Sequence, residues 1–496
     1  VTLDPHTPVL VGAGQYLHRA TSLDDARSPA ELIAEAVRIA AADARLPDVP
    51  RRPDSLRVVS LLSWRYRDPA RFVAAELGIE PAETALTTNG GNSPQMLVNA
   101  TAQEIQRGDA DLVILAGGEA WRTRMRARKD GAHLPWPPVD DDVTPGRLMG
   151  SEMPMSHEAE LARGIMMPVQ IYPMLESALR ARAGRSVEEH QVVISELWSR
   201  FSHVAAANPH AWLRTPLSAD EIRTVSPTNR MIGLPYPKYM NSNNDVDMAA
   251  ALIMCSVERA RSLGISEDRW VFPHAGSDCH EHQYLSERWE LTETPAIALG
   301  GRAALELAGI GVDDVAVIDL YSCFPSAVEL GAAALGLSLD RQLTRTGGLP
   351  FAGGPWNNYV THAIATVVGD LRERPDEWGL VWGNGGYVTK HAFGVYSARP
   401  PAHGFRHAQP QAEIDALPRR ALARPEDAAG PATVEAYTVM HSREGEPELA
   451  IASCRLADGR RAWGTSNEPA VAAAMCAGEW VGRPVSLDPA GTLHLD

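Results

Sequence analysis

Four side chains of the kinds metals use crowd into one stretch of this 496-residue chain, where SDCHEHQ (Ser277–Gln283) holds Asp278, Cys279, His280 and His282. They offer carboxylate, thiolate and imidazole ligands, but a soft-metal site needs further ligands from elsewhere in the fold. The other reading is a polar loop at a strand end, and no metal is assigned. A second set, Asn357, Asn358, His362, Asn384, Tyr387, Lys390 and His391, lies in PWNNYVTHA and GNGGYVTKH. Polar groups at the carboxyl ends of parallel strands commonly face ligands, whereas Asn also caps helices and forms turns. Ser93 and His362, at two expected helix starts, could form a Ser/His pair. Cys323 in DLYSCF could be a nucleophile or a small buried residue packing after a strand. The basic run Arg122, Arg124, Arg126, Arg128 and Lys129 could hold phosphates or form a solvated loop face.

These residues need a scaffold, and hydrophobic periodicity predicts one. Pro8–Tyr16 reads as a buried strand and Ser28–Ala44 as a helix, with Ser28 as N-cap and Pro29 in the first turn. Leu56–Trp64 is strand-like, Asp68–Ile79 helical, and Glu83–Asn89 strand-like. That last segment leads through Gly90-Gly91 into the helical Pro94–Gly108, and the strand in Asp109–Trp121 closes the series. Such alternation implies parallel sheets covered by helices. The pattern returns near residue 295 with the helical Pro295–Ile310, the strand in Asp313–Ser322 and the helical Pro325–Leu337. The helical Asn357–Leu371 follows, then two strands within Glu377–Ser397. Gly90-Gly91 and Gly353-Gly354 each precede a helix and a strand ending in glycines, which suggests an internal duplication. Between the halves, about Arg122 to Tyr239 is too long for an ordinary loop and reads as an inserted helical subdomain. After Ser397, Ala398–Ala432 reads as a linker. Residues 433–496 alternate with period two, as a small antiparallel barrel of the oligonucleotide/oligosaccharide-binding type would.

Composition narrows the function. With 46 Lys+Arg against 62 Asp+Glu, the formal net charge of −16 argues against a phosphate-backbone binder. Hydrophobic residues at 45% exclude whole-chain disorder. No apolar run approaches the ~20 residues of a membrane span, and the N-terminus does not read as a signal peptide. Five cysteines in so long a chain make no disulfide framework, so a cytoplasmic protein is expected.

Several motifs, in order, resemble the thiolase superfamily over roughly residues 5 to 397. Asn92–Trp121 is similar to the segment where a nucleophile turn meets a buried helix, an I-x-x-G-x-A-D corner (Ile105, Gly108, Ala110, Asp111) and an A-G-G-x-E strand end (Ala116 to Glu119). Pro237–Ser256 is similar to the segment where an Asp precedes an Ala-rich helix. GGLPFAGGP (Gly347–Pro355) resembles the Gly-His-Pro loop and WGNGGY (Trp382–Tyr387) the C-terminal Gly-rich turn. The nearest branch is the sterol-carrier-protein type of thiolase with its bacterial thiolase-like relatives, some bearing an extra small β-domain. The resemblance implies a duplicated α/β fold layered α-β-α-β-α, with an N-terminal half over 1–290 that includes the insertion. A C-terminal half over 291–397, a linker over 398–432 and a β-domain over 433–496 would follow.

Thiolases use a cysteine nucleophile, a histidine base and a second proton-moving cysteine on 3-ketoacyl-CoA. Carried onto this chain, the nucleophile falls on Gly91 and the residue holding the oxyanion water on Tyr321. The Gly-His-Pro histidine falls on Gly354 and the C-terminal cysteine on Val381. None is a base or an acyl acceptor at neutral pH, apart from an ionised Tyr321. The expectation is a thiolase-like protein without conventional activity, binding acyl-CoA or a related ligand in lipid or sterol metabolism and holding no cofactor. Alternatives are an acyl-CoA C-acyltransferase of the acetyl-CoA acetyltransferase class with non-standard residues (Cys323, or Ser93 with His362), and a non-catalytic scaffold for a partner enzyme. Asn357, Asn358, Asn384 and Tyr387 are the pocket candidates. The short, polar-ended ETALTTN strand points to a monomer or an atypical dimer.

Overall fold

The helix Pro29–Asp43 starts as its sequence dictates, because Ser28 accepts from Glu31 N while the Glu31 carboxylate accepts from Ser28 N at 2.7 Å. Its apolar stripe lies directly on the strand Pro8–Leu17. A Cβ on Gly12 or Gly14 would strike the Ala40 backbone, so glycine there sets how closely helix and sheet approach. The computed structural model describes residues 3–138, 142–424 and 427–495.

Two sheets repeat one pairing scheme. In the first, Pro8–Leu17, Asp247–Ser256, Leu112–Ala120, Ser55–Val58, Glu83–Thr87 and Arg147–Met149 lie side by side. In the second, the path beginning Phe272–His280, Lys390–Ser397, Trp378–Gly385 and Val315–Leu320 has the same orientations. The first two pairings of each path are antiparallel and the third is parallel. Between the sheets run two helices, Ser93–Arg107 and Tyr359–Glu373, each following one of the Gly-Gly turns. Helices Pro29–Asp43 and Pro69–Leu77 cover the outer face of the first sheet. Pro295–Ala308 covers the outer face of the second and packs against Pro325–Leu335. The result is the layered α-β-α-β-α arrangement of a duplicated thiolase-like fold.

The structure corrects several sequence expectations. Asp247–Ser256 is a strand, not an Ala-rich helix. It lies between Pro8–Leu17 and Leu112–Ala120 and is buried along its whole length, and its alanines suit a narrow space: a Cβ on Gly118 would stand 2.6 Å from Ala249 Cβ. The second sheet begins with Phe272–His280, well before residue 291, so Asp278, Cys279 and His280 belong to a strand rather than a loop. The basic run lies on a helix, Trp121–Asp130, where Arg122 pairs with Asp245 at 2.7 Å. The insertion supplies two longer helices, Pro168–Arg182 and Val187–Ala207.

The C-terminal strands run in the order Arg461–Ser466, Pro447–Leu456, Gly430–His441, Pro484–Leu487 and Leu493–Leu495. A parallel bridge, Thr465 to Thr492, joins the two ends into a small barrel, and Thr465 N donates to Gly491 O at 3.0 Å. The first strand begins at Gly430, inside the expected linker, and Met440 pairs with Gly233 of the insertion. Arg461, fully buried, fixes the barrel to the body. Its Nε and Nη2 donate to Glu435 at 2.7 and 2.8 Å, and its Nη1 donates to the carbonyls of Leu285, Ser286 and Arg288. No helix of the described residues is long and apolar enough to cross a membrane.

Removing one member of a buried pair leaves the other uncompensated. Arg461→Ala should therefore cost about 3–5 kcal/mol, read as a lower Tm and faster proteolytic release of the barrel. Burial pushes the Glu435 carboxyl up, but its bonds to Arg461 outweigh this and the folded pKa is lowered. The pair's contribution is thus present above the ordinary glutamate range and lost as pH falls through the folded value. Denaturant titrations should show the difference between wild type and Arg461→Ala shrinking under acid, and a difference that grows there would contradict the assignment.

Candidate functional site

The turn between Glu83–Thr87 and the helix Ser93–Arg107 is held from several sides. Asn357 Oδ1 accepts from Gly90 N at 3.1 Å, and Asn357 Nδ2 donates to Ser60 O at 2.9 Å and to Asn89 Oδ1 at 3.2 Å. Lys390 Nζ donates to Asn89 O. On Gly91, a Cβ would meet Tyr321 Oη at 2.5 Å and Tyr321 Cζ at 2.8 Å, and would press on the Asn384 carbonyl. The phenol therefore fills the space a side chain at 91 requires. Tyr321 follows the strand Val315–Leu320 and meets the Tyr359 ring edge-on, with centroids 5.5 Å apart. Burial pushes its hydroxyl pKa up, so it is a neutral phenol and not a base.

At Gly354, Ser242 Oγ occupies the place of a Cβ and Asn244 Oδ1 stands 3.1 Å from it. Val381 is fully buried in the strand Trp378–Gly385, opposite Gly394. Cys323 is buried beside the Tyr172 hydroxyl and its pKa is pushed up to about 12 by desolvation, so it is a thiol at neutral pH. Tyr172, from the insertion helix Pro168–Arg182, donates to Gly386 O at 3.1 Å and accepts from Asn384 Nδ2 at 3.1 Å. Nothing in the sequence around Tyr172 signals this position, because only the folded insertion carries it there.

The remaining sequence candidates are engaged elsewhere. Ser93 Oγ donates to Thr88 O at 3.1 Å, and His362 Nδ1 lies 2.9 Å from Gln15 Oε1. Burial pushes His362 down to about 3 and keeps its imidazole neutral. Asn358 Oδ1 accepts from Thr361 Oγ1 at 2.6 Å, and the Tyr387 hydroxyl donates to Met166 O at 2.5 Å. His391 Nδ1 accepts from Trp382 Nε1 at 3.2 Å. Asp278 binds His407 and Asn99, the Cys279 thiol donates to Ala296 O, and His280 Nδ1 lies beside Glu281 O, so that cluster does not converge. The turn thus gathers Gly91, Tyr321, Asn384, Tyr172 and Cys323 as neutral groups.

A cavity of about 750 Å³ opens between the insertion helix Val187–Ala207 and the segment 340–345, lined in part by Arg200, His203, Arg341, Arg345 and Asp370. A smaller one, about 280 Å³, lies at the start of the helix Ser93–Arg107, near Thr88, Asp278 and Lys390. Along one flank, Arg147–Met149 pairs in parallel with Glu83–Thr87 and covers what is otherwise that strand's free edge.

Residues 410–492 match the family model of the thiolase-like protein type 1 additional C-terminal domain. The chain is similar to a monomeric SCP2-thiolase-like protein type 1 from Mycobacterium smegmatis, at 33% identity over 100% of both chains with a TM-score of 0.84. It shares its fold with the Ltp2–ChsH2(DUF35) aldolase, at 19% identity over 80% of this chain and 99% of that one, TM-score 0.60. It is 25% identical to an acetyl-CoA acetyltransferase of Chromobacterium violaceum over 63% of this chain and 80% of that protein. It is 28% identical to the benzoylsuccinyl-CoA thiolase subunit BbsB of Thauera aromatica over 27% of this chain, spanning 32% of that subunit.

Gly91→Cys should force the Tyr321 ring aside and cost about 1–3 kcal/mol, as overpacking of a filled site does. Thermal melts should show the loss, and a second change, Tyr321→Ala, should recover part of it. An unchanged Tm for the single variant would mean that the phenol does not fill that space.

Proposed function

Since the chain belongs to the thiolase superfamily, among the SCP2-thiolase-like proteins of type 1, we propose that it keeps that scaffold to bind acyl-CoA or a related ligand without running conventional thiolysis. The observation that carries this reading is the Tyr321 phenol filling the side-chain space of Gly91. Covalent acyl transfer needs a thiolate within reach of a base, with donors facing the developing oxyanion. Here the counterparts of the nucleophile and the Gly-His-Pro histidine are glycines packed against Tyr321 and Ser242, and the second-cysteine position is a buried valine. An acyltransferase running through Cys323 would need a thiolate that burial opposes.

Ligand binding is supported by the 750 Å³ cavity, which is within the range of cofactor-sized pockets but shares no lining residue with the Gly91 turn. Arg200 on its wall can meet phosphate groups, whereas Arg341 donates to the carbonyls of Val312 and Val315 and Arg345 pairs with Asp370 at 2.5 Å. Lipid or sterol metabolism and a cytoplasmic setting belong to the same proposal. A monomeric state agrees with the covered edge of Glu83–Thr87 and with the monomeric relative from M. smegmatis. The aldolase that shares the fold joins Ltp2 to a second protein, which keeps a scaffold role as the second reading.

Thiolysis of acetoacetyl-CoA should stay at background and be the same for Cys323→Ala. Turnover abolished by that change would overturn the proposal. In calorimetry, CoA and acyl-CoAs should release heat on binding, and Arg200→Glu should weaken them roughly tenfold. No heat from any CoA species would favour the scaffold.

A further inference from the structure

Away from the glycine turn, three polar side chains from three helices meet in the interior. Glu176 lies on Pro168–Arg182, His190 on Val187–Ala207, and Glu329 on Pro325–Leu335 of the second half. His190 Nε2 lies 2.5 Å from Glu176 Oε1 and 3.7 Å from Glu329 Oε2, and one ligand atom from each residue falls within 4.8 Å of the others. The Tyr236 hydroxyl donates to the second Glu176 oxygen and accepts from Ser326 N at 3.1 Å, which fixes that carboxylate. Glu329 Oε2 is buried and has no hydrogen-bond partner. A buried acceptor left in that state costs about 1–3 kcal/mol and calls for a cause. Beside the cluster is a cavity of about 10 Å³, lined in part by Glu176, His190 and Tyr437 and also by Arg180, whose guanidinium is held by Glu479, with room for about one water.

We propose that Glu176, His190 and Glu329 bind a transition-metal dication of the zinc class, with a water in the adjoining cavity as a fourth ligand. Two carboxylates, one imidazole and a water make a familiar zinc donor set. Without a cation, two carboxyls this close cannot both be charged, and Glu176 and Glu329 then share a proton as a carboxyl pair. A dication replaces that proton and engages the orphan oxygen. Arg185 Nη1, 3.4 Å from His190 Nδ1, is a donor only, so it must turn away when Nδ1 carries the proton. Arg185 is half-buried and has solvent to turn into. The bound ion would tie the insertion to the second half. It would also lie behind the glycine turn, because Tyr236 stacks on Phe324, and Phe324 on Tyr172 at 4.5 Å.

The test uses the full chain, stripped with a chelator and dialysed against Zn2+, with Mg2+ as control. Elemental analysis should find one zinc per chain that His190→Ala and Glu329→Gln each remove. Zn2+ and not Mg2+ should raise the Tm of the wild type. Co2+ loaded into wild type should give the visible bands of a four-coordinate nitrogen and oxygen site, a readout that needs no variant to fold. Wild type that takes up no zinc, or zinc held equally by both variants, or cobalt bands of a hydrated surface ion, would leave the cluster as a proton-sharing carboxyl pair and overturn the proposal.

Discussion

The constraint on which the candidate site depends is the close approach of the Tyr321 phenol to Gly91. Their contact is possible only because the helix Ser93–Arg107 and the strand Val315–Leu320 belong to different halves brought together around one central layer. Glycine at 91 without the phenol would leave a gap, and the phenol against any larger residue would overlap it. Asn357 reaches the same turn from the second half and fixes Gly90. Each half therefore completes the turn of the other. The local chemistry follows, since neutral tyrosines and a desolvated thiol gather around the turn.

The same cross-half dependence explains the interior polar network of the central helix. Gln95 and Asn99 are fully buried on Ser93–Arg107, where Gln95 accepts from the Tyr396 hydroxyl at 2.7 Å and donates to Asn99 at 2.9 Å. Gly394 and Gly276 on the facing strands leave space for these amides. Buried polar groups are tolerable where their partners are supplied, and here the second sheet supplies them. The barrel is attached by the same kind of device, a buried arginine whose guanidinium is shared between its own domain and the carbonyls of the body.

Much of this was legible in residue order. The N-cap at Ser28, the helices after the Gly-Gly turns, the hairpin of Trp378–Gly385 with Lys390–Ser397 and the alternating C-terminal strands all follow from local rules. Asp247–Ser256 was not legible, because a run of alanines suits a helix by propensity and becomes a strand only between two others. The strand Phe272–His280 was hidden by its polar end, whose Asp278 and Cys279 find partners only after packing.

The amino-acid order alone determined the residue types at Gly91, Tyr321, Gly354 and Val381, because glycine, tyrosine and valine keep their chemistry whatever surrounds them. It also determined the alternation from which the duplicated sheets arise. Only the tertiary structure decided that Tyr321 lies in the space of Gly91, that Tyr172 reaches the turn from the insertion, and that Ser93 and His362 each find other partners. These contacts join residues far apart in the chain, and local periodicity carries no information about which distant side chain fills a given space.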